Sequence, residues 1–173
     1  MSFADFYLVR RRFILRALAG SLAAWVITSF LASILFSHYR IGLDLNDIRC
    51  LPWRVYLIHI GHPPLVKGEY VAFNAAHGMM GARFDGKLIG KQIAAVEGDH
   101  VVIKHDVLYI NDKRIDGLPL MARLKAVSGQ YDRDQIVPHG KFFALGTEPR
   151  SYDSRYWGWV DVKSVVGSVR PII

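Results

Sequence analysis

Residues 17–36 form a run of twenty positions without a charged side chain, and this run limits what the chain can fold into. At 1.5 Å per residue, a helix of this length spans about 30 Å, which is the thickness of a bilayer core. Four arginines and one aspartate precede the run. By the positive-inside rule, we expect the N-terminus in the cytoplasm and the rest of the chain across the membrane.

These patterns divide the chain into a cytoplasmic tail at residues 1–12, a transmembrane anchor at 13–36 and an exported domain at 37–173, whose first residues, 37–49, are interpreted as a polar connector. A cleavable signal peptide is the alternative, because small residues are frequent at the start of the apolar run. However, the run is longer than the signal-peptide core of about 7–15 residues, and no clean small-x-small cleavage pattern follows it. We therefore expect an uncleaved anchor.

The net charge of +7 raises the hypothesis of a nucleic-acid partner. Four arginines and one aspartate give the first 36 residues +3, and the remaining charges are spread without a long basic run. A protein face that binds phosphates clusters its lysines and arginines. The charge therefore indicates membrane topology and mild basicity, and we expect no nucleic-acid partner.

After the anchor, short apolar runs alternate with glycine, proline, asparagine and aspartate. Runs of this length with this punctuation predict strands, and the sequence as a whole predicts one mainly β domain. Residues 118–127 are less regular and are either a loop or a short helix. The predicted strands are residues 55–60, 70–73, 88–96, 100–104, 107–110, 142–145 and 165–169.

Cys50 is the only cysteine and follows the apolar run closely, so we expect it just outside the membrane. A single cysteine forms neither an intramolecular disulfide nor a CxxC metal site. Three alternatives remain: a buried small apolar residue, an intermolecular disulfide or a reactive thiol. His59 and His62 have the spacing of a metal pair, but no acidic or thiol ligand stands nearby at a recognised spacing. We expect no metal and no cofactor.

Three stretches resemble the type I signal peptidase family: Cys-Leu-Pro at 50–52, a lysine that leads an apolar strand into a Gly-Asp turn at 90–99, and Leu-Gly-Thr-Glu-Pro-Arg-Ser-Tyr-Asp-Ser-Arg-Tyr-Trp-Gly at 145–158. The family has a serine before a proline soon after its membrane segment, then such a lysine, and finally a glycine turn that ends in Asp-Ser-Arg-Tyr-Trp-Gly. Pro52 follows position 50 by two residues. This spacing resembles the conjugative-transfer branch, the TraF-like pilin-maturing peptidases.

The resemblance implies a compact β domain with its active site near the membrane. Cys50 then stands at the nucleophile position and Lys91 at the general base. Asp153 matches an acid that supports the site, with Arg155 as its ion-pair partner, and Ser151 matches a hydroxyl that orients the lysine. The implied enzyme lies in the bacterial inner membrane, with a periplasmic catalytic domain that processes a pilin precursor or another exported preprotein.

Two positions depart from the family pattern. Ile48 stands where leader peptidases have an oxyanion-donating serine, so the backbone N–H of Cys50 would carry more of that role. Cysteine replaces the nucleophilic serine. With ordinary pKa values of about 8.5 for cysteine and about 10.4 for lysine, proton transfer from thiol to amine is favourable by roughly 2.6 kcal/mol in water. Burial of the resulting ion pair opposes the transfer.

The resemblance and this chemistry together predict a Cys/Lys dyad. The thiol of Cys50 attacks the scissile carbonyl to form a thioester, and Lys91 protonates the leaving amine. Because amines attack thioesters readily, release by an N-terminus would cyclise the product. Two alternatives remain: a housekeeping type I leader peptidase, and a catalytically inactive assembly factor of a conjugation or secretion machine.

Overall fold

The computed structural model describes residues 3–44 and 50–172. Helix α1 runs from Phe3 to His38 and therefore includes the predicted anchor at 13–36. Within it, Arg10–His38 has the length and the mean hydropathy, 1.9, of a membrane-spanning helix. Apolar side chains are exposed along this segment, which is typical of a helix surrounded by lipid.

The chain from Tyr39 onward forms a separate compact unit built almost entirely from strands. The prediction of a mainly β domain is thus confirmed. Short helices interrupt the strands at α2 (Met121–Leu124) and α3 (Ser154–Trp157), with 3-10 turns at Ala82–Phe84 and Val162–Ser164. The strands are β1 (Tyr39–Leu43), β2 (Val55–Ile60), β3 (Tyr70–Asn74), β4 (Leu88–Val96), β5 (His100–Lys104), β6 (Val107–Ile110), β7 (Lys113–Gly117), β8 (Arg133–Ile136), β9 (Lys141–Leu145), β10 (Val160–Asp161) and β11 (Val165–Pro171).

The described strands make two antiparallel sheets. One has seven strands in the order β1-β2-β11-β3-β4-β9-β10, and the other has four in the order β7-β6-β5-β8. All seven predicted strands are present, with small extensions at their ends. The less regular stretch at residues 118–127 contains a single helical turn, α2.

The interpretation of residues 37–49 as a polar connector is wrong for residues 39–43. These residues form β1, which pairs antiparallel with β2 and places Tyr39 opposite His59 and Leu43 opposite Val55. The strand lies at the edge of its sheet, and Ile41 and Leu43 remain exposed, so its sequence lacks the pattern of a half-buried strand. Ile48 lies outside the described residues.

Strand β4 carries the predicted base into the interior of the domain. Because side chains alternate between the two faces of a strand, Lys91 lies on the same face of β4 as Ile93, which is buried in the core. Neighbours on both sides hold β4: Lys91 pairs with Val71 of β3, and Gln92 pairs with Leu145 of β9. Lys91 is therefore fixed by the centre of the larger sheet.

Candidate active site

Lys91 is fully buried, with no exposed surface on its side chain. Its Nζ donates to Ser151 Oγ at 2.6 Å and to the carbonyl oxygen of Tyr152 at 2.9 Å. Both acceptors are neutral, and in the described part of the chain Lys91 makes no ion pair. Lysine is almost never fully buried without a charged partner, and such an arrangement is typical of a functional position.

The loop that supplies Ser151 is held by Asp153, whose side chain is also fully buried. The carboxylate accepts hydrogen bonds from the backbone N–H of Gly146 at 3.0 Å and from that of Arg155 at 3.2 Å. The second of these bonds caps the N-terminus of α3. Asp153 therefore ties the two ends of the loop from Gly146 to α3 together.

Arg155 is bound to Asp153 through both carboxylate oxygens. Its Nε donates to Oδ1 at 2.9 Å and its Nη2 donates to Oδ2 at 2.8 Å, the fork-like arrangement that gives strong guanidinium–carboxylate pairs. Burial alone would lower the pKa of Arg155, but the hydrogen bonds and charge of Asp153 hold it above its ordinary value. The buried pair therefore braces the loop through two hydrogen bonds between the side chains.

The same guanidinium reaches the smaller sheet. Nη1 of Arg155 donates to Asp116 Oδ2 and to the carbonyl oxygen of Gly117, both at 2.9 Å. Sequence reasoning missed Asp116, because a lone aspartate in an edge strand 39 positions away carries no local signal. Arg155 therefore connects the lysine-holding loop to the end of β7.

Cys50 lies against the same loop through its backbone. Its carbonyl oxygen accepts the N–H of Thr147 at 3.0 Å. At Gly146 the packing leaves no room for a side chain, since a Cβ there would collide with Ser151 Oγ and with the Cys50 carbonyl oxygen. Gly146 thus allows the backbone of Cys50 and the hydroxyl that holds Lys91 to approach one another.

The thiol of Cys50 is free and half-buried. Its residue lines a cavity of about 530 Å³ together with Ser151, Tyr56 and Gly90. Burial raises the pKa of Tyr56, and the charges of Asp44 and Cys50 raise it further. The Tyr56 phenol is therefore protonated at neutral pH and stands close to Cys50 as a neutral group.

The backbone N–H of Cys50, which the sequence suggests as an oxyanion donor, is directed towards Asp44 Oδ2 at 3.5 Å. This is a long contact that lies at the limit of a hydrogen bond. The serine position of leader peptidases, here Ile48, is outside the described residues. The role of the Cys50 N–H as an oxyanion donor stays a prediction.

The five residues singled out from the sequence fall into one connected arrangement. Lys91 is bonded to Ser151, Asp153 is paired with Arg155, and Cys50 contacts the loop that carries the other three. His59, by contrast, lies on β2, where its ring stacks on Tyr39 with centroids 5.0 Å apart. Residues 3–44 and 50–172 contain no cluster of three or more histidine, cysteine, aspartate or glutamate residues that would hold a metal ion.

Comparison with known proteins gives one consistent result. The family model described as "Signal peptidase, peptidase S26" matches residues 11–173. Signal peptidase IB of Staphylococcus aureus (strain COL) is 30% identical over 132 residues, which cover 62% of this chain and 69% of that protein. Signal peptidase I of Bacillus caldolyticus is 31% identical over 91 residues, 46% of this chain and 50% of that one. The crystal structure of a signal peptidase I from Enterococcus faecalis V583 is 29% identical and covers 64% of this chain and 99% of its own, with a TM-score of 0.40.

Proposed function

Because the chain belongs to the signal peptidase family, peptidase S26, we propose that it is a membrane-anchored endopeptidase that cleaves exported preproteins with a Cys50–Lys91 dyad. The observation that carries this proposal is the environment of Lys91. The amine is fully buried and is hydrogen-bonded to Ser151 Oγ. Ser151 lines the same cavity as Cys50.

The proposed reaction begins with transfer of the Cys50 thiol proton to Lys91 and attack of Sγ on the scissile carbonyl carbon. The C–N bond then breaks, and Lys91 returns the proton to the leaving amine. The product is a thioester between Cys50 and the N-terminal part of the substrate. Water releases this part as a carboxylic acid and restores the thiol. Ser151 does not react; its hydroxyl fixes the direction of the Lys91 amine.

The topology that accompanies this proposal places the N-terminus in the cytoplasm and the β domain in the periplasm, with α1 in the inner membrane. The four arginines before the apolar run support this orientation. Along the chain, eleven residues (39–49) separate the end of α1 from Cys50.

The finer proposal is that the substrate is a pilin precursor of a conjugation system. The position of Pro52, two residues after Cys50, supports it because this spacing resembles the pilin-maturing branch of the family. Cysteine also makes cyclisation chemically accessible, since the thioester transfers its acyl group to an amine. A cyclised pilin weighs one water less than the linear peptide, so intact-mass spectrometry of the mature pilin decides between cyclisation and hydrolysis.

The second candidate is a general type I signal peptidase, which the relatives favour because they are named signal peptidase I and IB. Depletion of the main signal peptidase in cells that express this chain separates the two candidates. A general enzyme restores export of unrelated preproteins, whereas a pilin-specific enzyme restores none of them and still matures pilin.

The central experiment is precursor processing in cells that carry Cys50→Ala, Lys91→Ala or Cys50→Ser. We expect both alanine variants to accumulate precursor. We expect Cys50→Ser to process more slowly than the wild type, because a hydroxyl is harder to deprotonate than a thiol. Lys104→Ala is the matched control, since Lys104 is exposed on β5. Normal processing by both alanine variants would contradict the proposal.

A further inference from the structure

The cavity beside Cys50 carries positive charge from three separate segments of the chain. Arg83 belongs to the first 3-10 turn, Arg123 belongs to α2, and Arg150 belongs to the loop before α3. Asp44 is the one acid among the described residues that line the cavity. Among the described residues that line the cavity, three arginines against one aspartate give a formal charge of +2.

Aromatic residues contact Arg83 itself and the backbone just before the helix that carries Arg123. The guanidinium carbon of Arg83 lies 4.8 Å from the ring centroid of Phe84, which also lines the cavity. Arg123 lies on α2, and Leu120, the residue before this helix, donates its N–H to the hydroxyl of Tyr156 at 2.9 Å. Because Tyr156 belongs to α3, the position of Arg123 is tied to the loop that holds the proposed base.

Arg150 stands directly before Ser151, within a turn that closes through a hydrogen bond of 3.0 Å from the Ser151 N–H to the carbonyl oxygen of Glu148. Within residues 3–44 and 50–172, neither this arginine nor Arg83 or Arg123 forms an ion pair. Positive groups that are not neutralised, in a concave wall with apolar neighbours, attract an anion to that wall.

We infer that this cavity selects substrates with an aspartate or glutamate side chain within about three residues of the scissile bond. The distance follows from the size of the cavity, because 530 Å³ corresponds to a space roughly 10 Å across and an extended chain advances about 3.3 Å per residue. The inference rests on the proposed function for the position of the scissile bond, but it concerns binding and is testable without turnover.

The test measures binding of Ala-rich nonapeptides with an uncharged fluorophore to the full chain carrying Cys50→Ala, in phosphatidylcholine nanodiscs. Each peptide carries one Glu, Gln or Lys, and this residue is moved along the peptide. The same peptides are titrated onto proteins with Arg123→Glu or Arg150→Glu added. Arg114→Glu is the matched control, because Arg114 is exposed on β7 and does not line the cavity.

We expect the Glu peptide to bind about fivefold more tightly than the Gln peptide at its best position, and the Lys peptide to bind least tightly. The ratio of the Gln-peptide Kd to the Glu-peptide Kd should fall towards one with added salt, since salt screens exposed charges. Arg123→Glu and Arg150→Glu should each abolish or invert the ratio, whereas Arg114→Glu should leave it unchanged.

Equal binding of the three peptides overturns the inference. The inference is also overturned if the Glu peptide is still preferred by the Arg123→Glu and Arg150→Glu proteins, because the preference would then not come from these arginines. The proposed function fails separately: wild-type protein that binds the Glu peptide selectively but cleaves no peptide would support the inference and contradict the peptidase.

Discussion

Lys91 Nζ lies 2.6 Å from Ser151 Oγ, so the position of the buried amine depends on a hydroxyl 60 residues later in the chain. The second acceptor, the carbonyl oxygen of Tyr152, belongs to the same loop. The loop, in turn, is fixed by the buried pair of Asp153 and Arg155. The placement of the proposed base is therefore a property of this loop as much as of β4.

Ser151→Ala tests the orientation of the base. The substitution removes one of two hydrogen bonds to Lys91 Nζ and leaves the Tyr152 carbonyl as its acceptor. Because misplacement of a reacting group by about 1 Å costs on the order of 100-fold in rate, we expect a fall in kcat of about 10- to 100-fold with a smaller change in KM. Steady-state cleavage of a quenched peptide measures the changes in kcat and KM separately. Ser164→Ala is the control, since Ser164 donates only to the Asp161 carbonyl; equal effects of the two variants would remove Ser151 from the proposed site.

Asp153→Ala tests the buried ion pair. The variant leaves the guanidinium of Arg155, which is 2% exposed, without its main partner. Removal of one member of a buried pair costs about 3–5 kcal/mol in the free energy of unfolding. Urea unfolding of the full chain, followed by tryptophan fluorescence, measures the loss. Asp134→Ala removes an exposed partner of His100 and should change the free energy by less than about 0.5 kcal/mol. A loss of similar size in both variants would show that the pair does not brace the domain.

Gly146→Ala tests the close approach of Cys50 to the lysine-holding loop. A Cβ at this position would collide with Ser151 Oγ and the Cys50 carbonyl oxygen, so one of them must move. We expect a stability loss of about 1–3 kcal/mol, typical of an overpacked site, and a larger proportional loss of activity. Gly20→Ala is the control, because nothing lies within 4 Å of the position of its added Cβ. Full activity in Gly146→Ala would mean that the contact between Cys50 and the loop has no role in catalysis.

Asp99 gives a prediction for the pH dependence of stability. Partial burial acts to raise its pKa, but hydrogen bonds from the Val96 N–H, Lys67 and Asn111 hold the pKa below its ordinary value. A carboxyl with a depressed pKa in the folded state stabilises the protein above its unfolded pKa of about 3.9, and this contribution disappears as the pH falls through the folded value.

Asp99→Asn should therefore lower the free energy of unfolding by about 1–2 kcal/mol at pH 7, because the amide cannot accept from all three donors as a carboxylate does. The difference from wild type should shrink as the pH falls below about 4, because the unfolded carboxyl binds protons first and the folded carboxyl only at still lower pH. Urea unfolding at both pH values measures the gap. A gap that stays constant with pH would contradict the role of the carboxylate charge.

The strands that the sequence failed to predict share one position in the fold. β1 and β10 are the two edges of the seven-stranded sheet, and β7 and β8 are the two edges of the four-stranded sheet. β7 and β8 read Lys-Arg-Ile-Asp-Gly and Arg-Asp-Gln-Ile, and most of their residues are exposed. Edge strands are commonly charged because this prevents pairing with other chains. Their extended form comes from backbone hydrogen bonds to an inner strand, so their sequences lack the apolar pattern by which strands are predicted.

The sequence alone determined the features that depend on local pattern. An uncharged run of twenty residues is long enough for a membrane helix, and apolar runs between turn residues define the inner strands. Motif resemblance predicted the site residues Cys50, Lys91, Ser151, Asp153 and Arg155.

Only the tertiary structure decided which groups meet. The contact of Arg155 with Asp116 joins residues 39 positions apart, and Gly146 is required because Ser151 Oγ and the Cys50 carbonyl oxygen both approach it. The three arginines of the cavity likewise come from separate turns. Such contacts arise because folding brings β4, the loop before α3 and the end of β7 together, and sequence distance then no longer limits which side chains touch.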